Sequence, residues 1–298
     1  MLKIHHLFIA LTFIILPFNF TFSQKKEIAK VPKDLNEISG LVFLNDSVLV
    51  AHNDGGDEPI LYFLNLKGEE IHRVKIEGAK NVDWEDIAFD GKEFLYIGDI
   101  GNNGNDRKDL CIYKVNSKGI LKKDSVKSEK ISLSYSEQKE FPENKPDRHF
   151  DAEGMAFVND SIYIFTKCRT EPFDGKCYGY KVPTKAGNYK LEKQFELFLG
   201  KDGWFKDSAT AVDIQDNKCY ILTYNRLMIY TFENGKFVFS RHILLAPLSQ
   251  IEAVAVNSKG EVFISDEEQK LLGGGKLYKV SLKEKKKKHK KKHKHDKK

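Results

Sequence analysis

Five short hydrophobic segments of this chain each begin near a side chain whose oxygen atoms could bind a metal ion. The segments read EISGLVF, DWEDIAF, DAEGMAF, SATAVDI and QIEAVAV. When they are aligned, one shared position is occupied by Ser39, Glu85, Glu153, Thr210 and Glu252. Three carboxylates and two hydroxyls, with no His or Cys among them, favour calcium over zinc or copper.

The residues that follow these five positions support the alignment. In every copy the second and fourth residues after the shared position are large and apolar, as with Leu41 and Phe43 or Met155 and Phe157. The intervening residues are mostly small. A period of two residues with a fixed phase is typical of β-strands whose two faces meet different neighbours. The five segments are therefore predicted to be equivalent strands of a repeated structure.

Each shared strand is followed by a turn rich in Asn, Asp, Gly or Ser and then by further strand-like segments. Repeated four-stranded meanders predict an all-β fold, a β-propeller with five blades. The 68-residue interval between Glu85 and Glu153 has room for a sixth blade, although residues 119–150 contain only one clear strand. The fifth copy lacks an outer strand. Residues 26–32 are predicted to supply it, which would close the ring and remove an exposed edge.

The first 23 residues have the composition of a secretory signal peptide. Lys3 precedes a long apolar stretch, and cleavage after Ser23 would leave a polar N-terminus. Pro17 and Asn19 interrupt the stretch, which disfavours the alternative of a permanent membrane anchor. No cysteine is near the cleavage point, so a lipid anchor is not expected. We therefore predict a secreted or periplasmic protein with no transmembrane segment in the mature chain and one propeller domain over residues 24–282.

The C-terminal segment 283–298 contains 11 Lys, two acidic residues and no apolar residue. Such a segment cannot bury a core and is predicted to be disordered. It accounts for more than the whole-chain net charge of +6, so residues 24–282 are net acidic, and specific nucleic-acid binding by the folded domain is not expected. The tail is either a solubilising extension or an attachment to something anionic, with loose metal capture by His289, His293 and His295 as a further interpretation.

The four cysteines fall into two groups. Cys168 and Cys177 flank a predicted hairpin loop, and their spacing is compatible with a disulfide or with two free thiols. Cys111 and Cys219 lie inside apolar strands and are predicted to be buried thiols.

The five shared residues are predicted to surround the central channel, because the first strand of each propeller blade is the innermost one. Glu85, Glu153 and Glu252 would then lie close together and repel one another. A bound calcium ion would relieve this repulsion. The alternative is that these side chains cap strand ends or bond to neighbouring blades.

The ends of the second strands are predicted to open on the same face as this ring, where binding and catalysis usually concentrate. The candidate groups for moving protons or orienting water there are Asp99, His52 and Asp266. The candidate groups for binding an anionic small molecule are Lys167, Arg148, Asn102 and Asn225. Each of these could instead be a structural turn residue. The sequence has no GxSxG, HExxH, GxxxxGK or EF-hand motif.

Several of these motifs resemble known propeller families. EISGL with HND, DWEDIA with GDIGNN, and DAEGMAF with IYIFTK resemble exported bacterial propellers that include the SdiA-regulated family and esterase-like phytase domains. The order Ser39, Glu85, Glu153, Thr210 and Glu252 resembles the Ser-Glu-Glu-Ser-Glu ring that holds calcium in the five-bladed calcium-activated nucleotidases, with Thr for the second Ser. The resemblance implies a central calcium ion and hydrolysis of phosphoanhydrides or phosphate esters.

Two functions are therefore expected from the sequence. The first is a secreted, monomeric calcium-binding propeller that hydrolyses phosphate esters or other anionic small molecules. The alternative is a non-catalytic binding or scaffold module of the cell envelope, in which calcium is purely structural.

Overall fold

Strands buried on both faces form the inner part of each antiparallel sheet in the computed structural model, which describes residues 25–247, 249–269 and 273–282. The predicted signal peptide and the lysine-rich tail lie outside the described residues. Within these ranges, no helix has both the length and the apolar character needed to cross a membrane.

The chain begins with β1 (Lys25–Lys30) and then forms two blades. The first blade consists of β2 (Ile38–Asn45), β3 (Val48–Asn53), β4 (Ile60–Asn65) and β5 (Glu70–Glu77). The second consists of β6 (Trp84–Phe89), β7 (Phe94–Asp99), β8 (Cys111–Asn116) and β9 (Ser125–Tyr135). The outer strands β5 and β9 pair in parallel, which joins these two blades at their rim.

The remaining blades follow the same plan. The third contains β10 (Asp151–Val158), β11 (Ser161–Lys167), β12 (Lys176–Val182) and, after β13 (Gly187–Leu191), β14 (Lys193–Phe198). β13 pairs in parallel with β9 of the second blade.

A short helix α1 (Trp204–Asp207) leads into the fourth blade, formed by β15 (Ala209–Gln215), β16 (Lys218–Thr223), β17 (Arg226–Glu233) and β18 (Lys236–Leu244). The fifth contains β19 (Ile251–Val256), β20 (Val262–Asp266) and β21 (Lys276–Val280). Three 3-10 turns complete the described elements: Lys33–Leu35, Ile120–Lys122 and Lys145–Asp147.

The N-terminal strand closes the ring, as the sequence predicts. β1 pairs antiparallel with β21 and so becomes the outer strand of the fifth blade. Five inner strands, β2, β6, β10, β15 and β19, contact one another in cyclic order. Residues 119–150 form β9 and two 3-10 turns rather than a sixth blade. The described residues therefore form a five-bladed β-propeller.

The apolar residues of the repeat pack between the blades. The buried hydrophobic residues form five clusters, and each cluster lies between two neighbouring blades. The second residue after each shared position contributes to a different cluster, and these residues are Leu41, Ile87, Met155, Val212 and Val254. The period-two pattern of the sequence thus becomes the packing that holds the blades together.

All four cysteines are free, buried thiols. Cys177 belongs to the cluster between the third and fourth blades, whereas the sulfur of Cys168 lies beside Thr170 and Asp174. The two thiols that could have formed a disulfide therefore have different surroundings.

A fully buried carboxylate joins three inner strands across the channel. Asp86 Oδ2 accepts hydrogen bonds from the backbone N–H of Met155 (2.8 Å) and of Val212 (3.2 Å), and Oδ1 accepts one from Ile87 (2.8 Å). These bonds connect β6 to β10 and β15. Burial raises the pKa of Asp86 well above its usual value.

Replacing Asp86 tests how much this connection contributes to stability. Asp86→Ala would leave the N–H groups of Met155 and Val212 without acceptors, so the free energy of unfolding should fall by about 3 kcal/mol. Asp86→Asn should cost less because its carbonyl oxygen can still accept. Urea denaturation measures both changes. Asp124→Ala on the surface is the control, and a loss for Asp86→Ala no larger than for this control would contradict the assigned role.

Candidate functional site at the channel mouth

The five shared residues occupy the same irregularity in their strands. Each is the extra residue of a β-bulge, where the pairing of the first and second strands shifts by one. A bulge turns a side chain away from the regular alternation of the strand. All five side chains, Ser39, Glu85, Glu153, Thr210 and Glu252, are buried. The sequence predicted their equivalence, whereas the bulge that produces it is visible only in the structure.

The two hydroxyls of this ring bond to neighbouring blades. Ser39 Oγ donates to the backbone carbonyl of Glu85 (2.6 Å), and Thr210 Oγ1 donates to that of Ile251 (2.8 Å). These contacts link the first blade to the second and the fourth to the fifth. The hydroxyl oxygens retain lone pairs that could accept or coordinate.

Glu153 is balanced by two cations. Lys167 Nζ lies 2.9 Å from Glu153 Oε2, and Arg169 Nη2 lies 3.1 Å from Oε1. Arg169 also contacts Asp151 through Nε at 2.5 Å. Burial would lower the pKa of Lys167, but Glu153 acting together with Tyr224 and Glu252 holds that pKa well above its usual value. Lys167 is therefore a buried cation that pairs with one of the five shared residues.

Glu85 has no such partner. Its side chain is only 3 % exposed, and within the described part of the chain its carboxylate makes no hydrogen bond or ion pair. Oxygen atoms of Asp54, Asp83 and Glu85 lie within 4.8 Å of one another, as do those of Glu85, Asp151 and Glu153. Burial, and next the charge of Glu153, raise the pKa of Glu85 well above its usual value. Glu85 thus belongs to both acidic groups, and no described residue neutralises its charge.

Gly101 allows the carboxylates of Glu85 and Asp83 to lie close to the backbone. A Cβ atom at position 101 would lie 2.1 Å from Glu85 Oε1 and 2.5 Å from Asp83 Oδ2. Any side chain there would displace both carboxylates. The backbone of the loop after β7 therefore forms one wall of the acidic group.

A further acidic group extends the site toward the fifth blade. Oxygen atoms of Asp54, Glu252 and Glu267 lie within 4.8 Å of one another, and Gln250 Nε2 donates to Glu267 Oε2 (2.9 Å). Burial raises the pKa of Asp54 to about 7, and burial followed by the charge of Glu252 raises that of Glu267 to about 10. Because the groups share members, the carboxylates form a continuous series from Glu267 to Glu153.

An aromatic wall adjoins the two cations. The Lys167 ammonium lies 5.3 Å from the ring centroid of Trp204, and the Arg169 guanidinium carbon lies 5.2 Å from it. Lys167 Nζ also donates to the hydroxyl of Tyr224 (3.0 Å), whose ring stacks on that of Phe205 (5.1 Å). Phe205 is 47 % exposed. The two cations therefore lie next to an aromatic surface that is partly open to solvent.

The three predicted catalytic groups are each engaged elsewhere. Asp99 pairs with Arg107 Nη2 (2.8 Å), and Asp266 accepts from the Tyr278 hydroxyl (2.8 Å). His52 is fully buried with its ring edge-on to a tryptophan of the second blade, and its Nδ1–H donates to the backbone carbonyl of the next residue (2.9 Å). None of the three belongs to the acidic groups just described.

Of the predicted substrate-binding residues, only Lys167 contacts one of the five shared residues, which is Glu153. Asn102 Oδ1 accepts two backbone N–H bonds within its own loop, and Nδ2 donates to the carbonyl of Phe150. Asn225 accepts from the Thr223 hydroxyl (3.3 Å), and Arg148 Nε donates to a backbone carbonyl (2.9 Å). These three contacts stabilise loops.

The structure adds residues that the sequence reasoning did not select. They are Asp54, Asp83, Asp151, Arg169, Trp204 and Glu267. A signal for two of them was present, because Asp83 and Asp151 each lie two residues before a shared glutamate in the repeated pattern Asp-x-Glu. Arg169 follows Lys167 by two residues, but nothing local indicated that both would meet Glu153.

Comparisons with known proteins establish the fold. No family model matches this sequence, and no curated protein matches it significantly. Glutaminyl cyclase from Myxococcus xanthus is similar in structure, with 14 % identity, coverage of 86 % of this chain and 95 % of that chain, and a TM-score of 0.54. The PQQ-bound aldose sugar dehydrogenase from Streptomyces coelicolor has 12 % identity, coverage of 86 % and 96 %, and a TM-score of 0.50. These likenesses show the shared fold, and the predicted calcium ring and family resemblances stay predictions.

A double-mutant cycle measures the buried ion pair. Lys167→Met removes one partner of Glu153 and should lower the free energy of unfolding by about 3 to 5 kcal/mol, because the carboxylate stays buried. Adding Glu153→Gln should restore much of this loss. The coupling energy from urea denaturation should far exceed that of the more exposed pair Lys193 and Glu196. Additive single mutants at positions 153 and 167 would contradict the pairing.

Acid titration tests the burial of His52. Burial lowers its pKa from 6.5 to about 4, so the unfolded chain takes up the proton first on acidification. Stability is fully present above pH 6.5 and falls as the pH approaches 4, by about 3 kcal/mol from this group. On acidification, the free energy of unfolding of His52→Gln should fall by about 3 kcal/mol less than that of the unmodified chain. His242→Gln, at an exposed site, should lose as much as the unmodified chain. Identical pH profiles for His52→Gln and the unmodified chain would show that His52 is not buried in neutral form.

Proposed function

We propose that this protein is an exported, calcium-dependent hydrolase of small phosphorylated or otherwise anionic molecules. The observation that carries the proposal is the buried carboxylate of Glu85 beside Asp54 and Asp83, which no other described residue pairs with. A carboxylate removed from water normally has a partner or becomes protonated. A bound cation would supply the missing partner at this junction.

The donor set fits calcium. The nearby ligand atoms are carboxylate oxygens, with hydroxyl oxygens from Ser39 and Thr210 on the same ring, and calcium prefers six to eight oxygen ligands. Because position 101 has no side chain, Glu85 and Asp83 lie against the same stretch of backbone, where they could share one ion. Because Lys167 and Arg169 already balance Glu153, the ion is expected on the side of Glu85, Asp54 and Glu252.

The net negative charge of the side chains at the channel mouth supports a dependence of substrate binding on calcium. Its carboxylates outnumber the cations Arg107, Lys167 and Arg169, so an anionic substrate would be repelled without a bound ion. Calcium at this position would supply attraction for the anion and polarise one of its oxygens. Lys167 and Arg169 would orient the anion, and the partly buried ring of Trp204 would contact an apolar or planar part of it. Asp83, which is less buried than Glu85, would accept a hydrogen bond from the attacking water.

A second candidate function is a non-catalytic binding module of the cell envelope with structural calcium. One observation favours it. Asp99 and Asp266 are buried and bonded within their own surroundings, and His52 is fully buried, so none of the three is exposed at the mouth to move a proton. The same mouth would then bind an anionic envelope component without cleaving it.

Calcium titration with a matched pair of variants tests the proposal. Calcium at about 100 times its Kd should raise the melting temperature by roughly 5 to 10 °C, and chelator should reverse the shift. Glu85→Gln should lose this response yet melt in chelator at or above the temperature of the unmodified protein, because it removes a buried carboxyl group that is costly to ionise. Glu129→Gln, at an exposed position of β9, should respond like the unmodified protein.

Turnover of phosphodiester, nucleotide and carboxylic ester substrates, with calcium and with chelator, separates the two functions. Calcium-dependent hydrolysis that is lost in Glu85→Gln supports the hydrolase. Stabilisation by calcium without turnover of any substrate would favour the binding module. A melting temperature indifferent to calcium would refute both, since each requires the ion.

A further inference from the structure

A second cluster of metal-ligating side chains lies in the third blade. His149 precedes β10, Cys168 follows β11, and Asp174 lies in the loop before β12. A ring nitrogen, the sulfur and a carboxylate oxygen from these residues lie within 4.8 Å of one another. None of the three belongs to the acidic series at the channel mouth.

The distances in this cluster suit a small metal ion. His149 Nε2 lies 3.2 Å from Asp174 Oδ2, and the thiol of Cys168 donates to Asp174 Oδ1 at 3.1 Å. Ligand atoms around tetrahedral zinc are separated by roughly 3.3 to 3.7 Å, given bond lengths of about 2.0 to 2.3 Å. Only small shifts of these side chains would therefore place an ion between them.

The surrounding structure holds the three groups in place. The His149 ring stacks on Tyr178, with centroids 4.1 Å apart. Backbone bonds from Arg169 N to Arg148 O (3.1 Å) and from Glu171 N to Lys145 O (3.0 Å) tie the loop carrying Cys168 to the segment carrying His149. Asp174 Oδ1 also accepts the backbone N–H of Lys176 (3.0 Å).

The two ring nitrogens of His149 have different surroundings. Among the described residues, the buried Nδ1 has no hydrogen-bond partner, whereas Nε2 contacts Asp174. Nε2 is therefore the nitrogen that the cluster offers to an ion.

We propose that His149, Cys168 and Asp174 bind a zinc ion at a site separate from the channel mouth. Nitrogen, thiolate and carboxylate ligands select a borderline ion such as zinc, whereas the oxygen-only mouth selects calcium. The side chain of Asp174 is 32 % exposed, which gives the ion access and leaves a coordination position toward solvent. On binding, the Cys168 thiol proton is released to solvent.

Cobalt(II) titration of the full chain with saturating calcium present tests the site. Cobalt bound to a thiolate gives a near-ultraviolet charge-transfer absorption that oxygen and imidazole ligands do not give. The mouth and the lysine-rich tail contain no sulfur ligand, so their binding of cobalt would not produce it. The band should appear at one cobalt per chain and disappear when zinc displaces the cobalt.

Variants connect the signal to the three residues. Cys168→Ser should abolish the band, while Cys111→Ala, which removes another buried thiol, should retain it. Asp174→Asn changes a partly exposed side chain and leaves both buried ligands in place, so it tests the site if Cys168→Ser does not fold. It and His149→Gln should each weaken zinc at least tenfold in the displacement titration.

Two results would overturn the zinc site. One is the absence of a thiolate band in the folded, reduced protein. The other is a band of unchanged strength in Asp174→Asn and in folded Cys168→Ser. Neither result bears on calcium at the mouth, which is measured separately through the melting temperature of Glu85→Gln.

Discussion

Acidic side chains buried at the centre of the ring are the constraint to which the rest of the structure responds. Charges removed from water must be neutralised, hydrogen bonded or protonated. Asp86 is bonded to backbone N–H groups of three inner strands, and Glu153 is paired with Lys167 and Arg169. Among the residues that the structure describes, Glu85 has no hydrogen-bond or ion-pair partner for its carboxylate. The centre of the ring thus joins the blades, and it also contains one carboxylate that lacks a positive partner among the described residues.

Repetition of one backbone irregularity produces this arrangement. Five bulges at the start of the inner strands bring five equivalent side chains together, while the apolar residues that follow fill the five spaces between blades. Closure by β1 holds the ring in a fixed geometry. Stability and the candidate site therefore depend on the same strands, and a substitution such as Asp86→Ala is expected to affect both.

The two proposed metal sites differ in chemistry because their ligands come from different parts of the repeat. The mouth collects carboxylates from the bulges and the adjoining loops, which gives a set of oxygen ligands. The site in the third blade collects one nitrogen from the segment before β10, and one sulfur and one oxygen from the loop between β11 and β12. A hard cation is expected at the first and a borderline cation at the second.

The sequence by itself determined the propeller, its five blades, the closing N-terminal strand and the oxygen-rich hub. These follow from local patterns, since a period of two residues and a repeated position are visible along the chain. Tertiary structure alone decided that Asp99, His52 and Asp266 are engaged, that Glu153 is paired and Glu85 is not, and that His149 meets Cys168 and Asp174. Charge pairing and burial depend on residues distant in sequence, and a local pattern carries no information about which of them will meet.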